Sequence, residues 1–364
     1  VAFGERQGRE DSWCTPYEID PFEVAMEDKL ALLERSDEAM RGGDEKSVIA
    51  RVANLASRRE EQWFASSEGD ALSQEMLRVG AGIAVTASKG GVVQTRSYPA
   101  SFGGNYSSGG YELALAMNLP DHGARVRDEA LALCEAEPCP AGSFDLILGG
   151  SQLMLQIHES VGHPNEIDRV HGQEVDLAGS SFATMERMKP GGAEAFRYGS
   201  DIVNLVADST VPGGLDTRGY DDDGTPSSRF NVVENGIFTG YHTNREWAER
   251  LGELSRGTNR AEGFFSPPMV RITNLSLAPG EGSLDELIAS TEDGIFADTV
   301  KMWSIDQRRL NFQFTTEIAW RIRNGKKAEM LRDATYQGST PEFWGSCDAI
   351  CGPEEWRLWG VPNC

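Results

Sequence analysis

One run of six residues, HESVGH from His158 to His163, restricts the local fold more than any other part of this 364-residue chain. Two histidines with a glutamate after the first form a zinc-hydrolase pattern, provided that both rings reach one ion. On a regular helix each residue turns about 100°, so the four-residue spacing of HExxH leaves its histidines about 40° apart on one face. Here the spacing is five, which is about 140° of rotation. A straight helix cannot aim both rings at one point. Two neighbours can break the regularity: Gly162 permits unusual backbone angles, and Pro164 disfavours the helical conformation of His163 before it. The spacing predicts a helix that ends or bulges near Gly162 and returns His163 toward His158. The competing expectation is two histidines at a helix end that cap carbonyls or meet solvent.

The surrounding pattern supports a helix up to that point. Leu153, Ile157 and Val161 recur at i, i+4, i+8, Ser151 suits a helix cap, and Phe144–Leu148 reads as a short buried strand before it. Helices are also predicted in AMEDKLALLERSDEAMR, DHGARVRDEALALCEAEP and NREWAERLG, with Pro138 marking the end of the second. SVIARVANLASRRE, EQWFASSEGD and EMLRVGAGIAVTASKGG read as neighbouring strands or hairpins, and SFGGNYSSGG as a flexible loop. Asn235-Gly236 and Asn324-Gly325 mark two hairpin turns. With 40 glycines and many strand-length apolar runs, the expected fold is α+β: large mixed, mostly antiparallel sheets with few helices. The expected division is near residue 140, with residues 1–140 as an N-terminal α/β part and 141–364 as a β-rich part.

The formal net charge of −23 argues against nucleic acid and against an anionic membrane surface as partners, because both are bound by clustered Lys and Arg. No apolar run approaches the roughly 18 residues of a membrane span, and the first residues carry no signal pattern. Six cysteines, Cys14, Cys134, Cys139, Cys347, Cys351 and Cys364, are too sparse for a disulfide scaffold and lack the CxxC spacing of zinc knuckles. They read as thiols in a reducing, cytoplasmic compartment. His171 and His242 each stand alone and read as solvated or core residues, and His122 as the start of a helix.

The chemistry of HESVGH follows from its residue types. His158 and His163 are nitrogen ligands for a metal, and Glu159 is a carboxylate able to take a proton from an activated water and return it to a leaving amine. Two histidines are too few, so a third protein ligand must come from elsewhere, leaving one position open.

The chain resembles the TldD/PmbA metalloproteases in several segments, in order. HESVGH, with LILGG before it and PNEID after it, is similar to the family's HExxxH segment. ADSTVPGGLDTRGYDDDGTPSSRFNVVENGIFTGYHTN is similar to its DDxGTP turn and ENG hairpin. PPMVRITNLSLAPGEGS, NFQFTTEIAWRIRNGKK and the closing WGVPNC resemble its RMTN…PG, FxFxxxEAYxIxNGK and GVxxC segments, and DPFEVAMEDKLALLERSDEAM its early helix. Pro164 and Asn165 stand where the family often has Gly and Leu.

The resemblance implies a motif-bearing, TldD-type zinc peptidase acting on unfolded or extended peptides, such as leader peptides or small proteins. It implies zinc on His158, His163 and Cys364, with Cys347 and Cys351 as rivals for the third position, and Glu159 as general base. Glu166 and Asp168 match the acidic positions after the motif, where they would orient a ligand histidine or sit in a solvated turn. Dimerisation with a PmbA-type subunit or with itself is implied, and an N-terminal α/β region is expected before Val1. The rival functions are a zinc amidase acting on small molecules and a non-catalytic scaffold subunit.

Overall fold

The computed structural model describes residues 3–4, 7–188 and 194–362. Its first sheet is organised by the 19-residue strand Ala71–Lys89. This strand pairs antiparallel with Val48–Ala65 along its length. On its other side it pairs with Val92–Tyr98 and Asn105–Ser108, antiparallel, and with Glu10–Cys14, parallel. Val79, Ala81, Ile83, Val85 and Ala87 alternate along the strand and so share one face. That face is buried with Leu32 and Met40 and with Val126 and Ala130, from and beside the helices Met26–Ala39 and Leu119–Glu135. Both helices fall where the sequence predicts them.

The segment expected as a flexible loop, SFGGNYSSGG, contains the strand Asn105–Ser108. Tertiary hydrogen bonds override its turn-rich composition: the Tyr106 N–H donates to the Gly360 carbonyl and the Ser108 N–H to that of Gly213.

A second, six-stranded sheet contains Glu137–Pro138, Asp145–Leu148, Asp293–Ile305, Asn311–Arg323, Lys326–Arg332 and Thr335–Ser339. Asp145–Leu148 is its parallel edge beside Asp293–Ile305, and the other pairings among the four long strands are antiparallel. A four-stranded antiparallel sheet holds Leu205–Asp208, Arg229–Glu234, Ile237–Phe238 and Leu275–Leu277. The fold is thus α+β, with large mixed sheets and few helices. Both predicted Asn-Gly hairpins form, with Asn235 and Gly236 at φ 49° and 75° and Asn324 and Gly325 at φ 48° and 73°. Paired positive angles match the turn geometry that follows strand twist.

Arg96 fastens the first sheet to the second. Its guanidinium donates to Glu129 at 2.7 Å and to Glu317 at 3.3 Å, while Glu317 also accepts from the N–H and Oγ of Ser97. Among the described residues no helix is long and apolar enough to cross a membrane.

Candidate metal centre

The strand Asp145–Leu148 delivers the chain to the site. It runs through Gly149 into the helix Gly150–Ile157, whose N-cap is Gly149 and not Ser151. Ser151 instead donates its hydroxyl to Asp298 at 2.7 Å. A side chain at Gly149 would collide with that same Asp298, its Cβ falling 2.3 Å from Oδ1. The helix is wedged between two cores. Leu155 packs on Val300, Phe312 and Phe314 of the second sheet. Ile157 and Val161, with Leu153 against them, join the cluster around Val203, Val232 and Trp344.

At His158 the helix widens. Residues His158–Gly162 form one π-helical turn, and the His163 N–H donates to the His158 carbonyl, five residues back. This is the bulge that the spacing requires, because an i→i+5 turn winds less per residue and so brings residues five apart closer to one face. The two imidazoles meet edge to face with centroids 4.5 Å apart. The 3₁₀ turn His163–Asn165 follows directly.

Gly162 contributes differently from expectation. Its φ is −61°, an ordinary helical angle, so no special backbone freedom is used. What it supplies is room, since a Cβ there would lie 2.5 Å from Cδ1 of Ile272. Side chains occupy the carbonyls around the wide turn: Ser160 Oγ donates to Gln156 O, Tyr198 Oη to Ser160 O, and Asn165 Nδ2 to Val161 O. Trp344 in turn donates its indole N–H to Ser160 Oγ at 2.9 Å.

Each motif side chain has a distinct environment. His158 is held well below its usual pKa by desolvation, and next by the charges of His163, Arg260 and Arg309, against the opposing pull of Glu166. It is therefore a neutral imidazole, the form that binds metals. His163 Nδ1 lies 2.9 Å from Oε2 of Glu166, which fixes the ring and leaves Nε2 to coordinate. Glu166 is fully buried. Burial alone would raise its pKa, but His163, Arg169 and Arg271 overcome this and hold it far below the carboxylate range. Arg169 donates to it from Nε at 3.1 Å and Nη2 at 3.0 Å, and the Ile272 N–H donates to Oε1 at 3.2 Å.

Asp168 is also buried but faces elsewhere, accepting from the Trp247 indole at 2.6 Å and the Val270 N–H at 2.7 Å. Neither residue sits in a solvated turn. Glu166 touches a motif histidine, whereas Asp168 ties the following turn to the 269–272 segment.

Glu159 is 7% exposed. Its Oε1 accepts from the Trp303 indole at 3.1 Å, and its Oε2 lies 3.6 Å from Arg309 Nη1 without a hydrogen bond. Trp303 and Arg309 come from the strand Asp293–Ile305 and the turn after it. Sequence reasoning does not find them, because nothing near HESVGH signals a contact 144 residues away.

The ligating atoms of His158, Glu159 and His163 all lie within 4.8 Å of one another. A neutral imidazole and an imidazole backed by a buried carboxylate are two nitrogen donors that fit a divalent metal such as zinc, with a carboxylate beside them. Among the described residues, no cysteine joins this group. Cys347 and Cys351 line the same cleft, with burial raising both thiols' pKa values, and Cys364 lies outside the described residues. The lone histidines have other neighbours. His171 stacks on Trp247, His122 stacks on Tyr98 within its helix, and His242 is buried against Phe230. His158 and His163 open onto a cleft of about 2230 Å³, walled by parts of the three sheets described above and by the two-stranded pair Asn259–Arg260 and Met269–Val270.

Known proteins resemble this chain in sequence and in fold. A profile described as the PmbA/TldA metallopeptidase C-terminal domain matches residues 144–362, and one for the central domain matches residues 19–133. A metalloprotease of Methanocaldococcus jannaschii is 30% identical over 332 residues, which are 91% of this chain and 68% of that protein. A metalloprotease TldD homolog of Haemophilus influenzae is 27% identical, over 95% of this chain and 69% of its own length. Over a shorter span, 55% of this chain and 42% of the relative, a zinc metalloprotease TldD homolog of Saccharolobus solfataricus is 26% identical. The chain thus spans about two thirds of the length of the first two relatives. The crystal structure of TldE from Thermococcus kodakarensis shares the fold at 18% identity, with a TM-score of 0.72, over 97% of this chain and 74% of that one. With both profiles matched in order and the paired histidines brought together by a π turn, this chain belongs to the TldD/PmbA family of metallopeptidases.

Proposed function

We propose that this chain carries the active centre of a zinc-dependent peptidase that cleaves unfolded or extended peptides, with the peptidase chemistry in residues 141–364. The observation that carries this reading is the convergence of His158, Glu159 and His163 at a cleft, with His163 backed by buried Glu166. His158 and His163 would hold the ion, with Cys364 as third ligand. Bound there, zinc would polarise the scissile carbonyl and lower the pKa of its water toward about 7. Glu159 acts as general base, taking the proton of the attacking water and returning it to the leaving amine. Oε2, which accepts no hydrogen bond but lies 3.6 Å from Arg309, is the oxygen left for this, while the Trp303 indole holds Oε1. Glu166 keeps the Nδ1–H tautomer of His163 and the ring's orientation.

The cleft is large enough for several residues of extended chain, and a sheet-rich wall suits a peptide bound through its backbone, with little selection by side chain. The relatives' metalloprotease names support a peptidase. In this reading it acts as a dimer, with a PmbA-type subunit or with itself, in the cytoplasm. The test is metal content per chain in full-length protein, for wild type, Cys364→Ala and Glu159→Gln, alongside cleavage of unfolded casein. One zinc in wild type, a large loss in Cys364→Ala, and full zinc with almost no turnover in Glu159→Gln are expected. Turnover retained in Glu159→Gln removes the general base, and zinc retained in Cys364→Ala moves the third ligand elsewhere.

A further inference from the structure

The wall of the cleft carries two arginines that the fold pairs only in part. Arg218 is 4% exposed, yet its guanidinium makes no hydrogen bond among the described residues. Its Nε is buried without an acceptor, and its one ion pair among the described residues is a loose 3.7 Å contact between Nη2 and Oδ2 of Asp216. Asp216 Oδ2 is itself buried without a donor. Oδ1 of the same carboxylate is engaged by Arg260 Nη1 at 3.2 Å. Two guanidinium groups therefore share one carboxylate.

The neighbouring charges are already committed. Arg78 donates to Glu60 and to the Leu215 carbonyl, and Asp222 accepts from Gln62 and the Ala261 N–H. A buried arginine with donors left over is costly in a folded protein, and such a group calls for a specific explanation.

Location narrows the explanation. Arg218, Arg260 and Asp216 line the same cleft as His158 and His163. Arg260 sits on the short strand Asn259–Arg260, opposite Met269, and its side chain is 45% exposed toward the cleft. Its charge is felt at His158, whose proton affinity it lowers. The segment bonded to Glu166 through the Ile272 N–H reaches Asp216 two residues later, where Asn274 Oδ1 accepts the Asp216 N–H. Metal ligands and arginines are thus wired to one stretch of backbone.

We propose that Arg218 and Arg260, braced by Asp216, form a subsite that binds a carboxylate of the peptide lying in the cleft. The inference rests on the reading of that cleft as a peptide site. Planar guanidinium groups suit a carboxylate, which can accept two parallel N–H bonds, and Arg218 supplies the donors that the protein leaves unpaired. Two sources offer this chemistry: the C-terminal carboxylate of a short peptide, or an Asp or Glu side chain. In a chain of net charge −23, this local positive charge would draw an acidic group to the cleft rather than to the outer surface.

Three fluorescent peptides of one sequence separate the possibilities: a free C-terminal acid, its C-terminal amide, and the amide with one internal Gln replaced by Glu. Their affinities are measured by anisotropy on zinc-loaded, full-length Glu159→Gln protein, and their kcat/KM values on wild type. A carboxylate-bearing peptide is expected to bind about tenfold tighter than the neutral amide, as for a hydrogen bond to a charged group. Which peptide gains identifies the source. Placing Arg260→Gln or Arg218→Gln in the same background brings the ratio close to one, while Arg260→Lys retains part of it. Arg260 is half-exposed, so its variants report even where Arg218→Gln fails to fold. Equal binding of all three peptides, or a ratio unchanged by Arg260→Gln, overturns the subsite and assigns ordered water to the unpaired atoms. Carboxylate preference without cleavage by wild type sinks the peptidase reading and leaves the subsite; cleavage without preference does the reverse.

Discussion

The Trp303 indole N–H donates to Oε1 of Glu159 across 3.1 Å, and the Trp303 ring is met edge-on by Phe102 at 5.8 Å. The Glu159 carboxylate is thereby fixed from a strand of the second sheet, which is braced in turn by a loop of the first. As the proposed general base, Glu159 would have one oxygen held by this bond and the other left to take a proton. Trp303→Phe removes the donor and keeps an aromatic ring beside Phe102. A hydrogen bond to a charged group contributes about 1.5–3 kcal/mol. The expected result is a fall in kcat of about tenfold or more, with zinc content unchanged and KM little altered. Steady-state kinetics with metal analysis checks this. Zinc loss in the variant assigns Trp303 to metal retention, and unchanged kcat means that the bond does not position the base.

Glu166 connects the histidine to the arginines. It accepts from Arg169 through Oε2 and from the Ile272 N–H through Oε1, and it lies beside His163 Nδ1. Glu166→Gln preserves shape but removes the charge that both Arg169 and Arg271 face. Loss of a partner that orients a metal-binding histidine typically lowers metal affinity 10–100-fold. Breaking a buried pair costs about 3–5 kcal/mol. Both effects are expected, and they separate experimentally: zinc affinity by chelator competition, and stability by urea denaturation of metal-free protein. Weaker zinc binding without destabilisation would make Glu166 a metal-site residue alone. The opposite outcome would make it a core ion-pair residue alone.

Gly162 sets two effects against each other. In a regular helix, Ala in place of Gly is favourable by about 1 kcal/mol. Here the new Cβ would lie 2.5 Å from Ile272 Cδ1, and overpacking costs about 1–3 kcal/mol. The contact is too close for propensity to win, so Gly162→Ala is expected to destabilise. Adding Ile272→Val removes the nearest clashing atom but leaves Cγ1 and Cγ2 at 2.9 and 3.1 Å, so it should restore only part of the loss. A Gly162→Ala protein more stable than wild type in urea denaturation would show that the helix shifts away from Ile272 without strain.

The five-residue spacing of His158 and His163 dictated a break in the helix, and a π turn supplies it, because bringing the two rings together is a purely local requirement. The Asn-Gly hairpins were readable for the same reason: their backbone angles are properties of two residues. Gly162 was legible as special but not for its reason, since room against Ile272 depends on a residue 110 positions later. The partners of Glu159 were hidden altogether. Trp303 looks like any strand tryptophan until the second sheet is folded against the helix. SFGGNYSSGG misled because its strand is induced by neighbours on both sides rather than by its own composition.

The acidic turn Asp221–Thr225 carries a proton that should register in stability. Asp221 is 1% exposed; Oδ1 accepts from the Asp223 and Thr225 N–H groups, and Oδ2 from that of Asn259. Burial, and next the charge of Asp223, push its pKa up to about 7, although Arg218 and these backbone donors pull the other way. The unfolded chain loses this proton near pH 4, while the native protein keeps it to about 7. Across that window the native state binds more protons, so the contribution of Asp221 to stability is full below pH 4 and declines as pH rises, by roughly 1.4 kcal/mol per pH unit. Asp221→Asn abolishes this titration. Urea denaturation of both proteins at intervals from pH 4 to 8 should show wild type losing stability relative to the variant up to about pH 7, with the difference then constant. Parallel curves would mean that the three backbone donors keep Asp221 ionised in the native protein across the whole range.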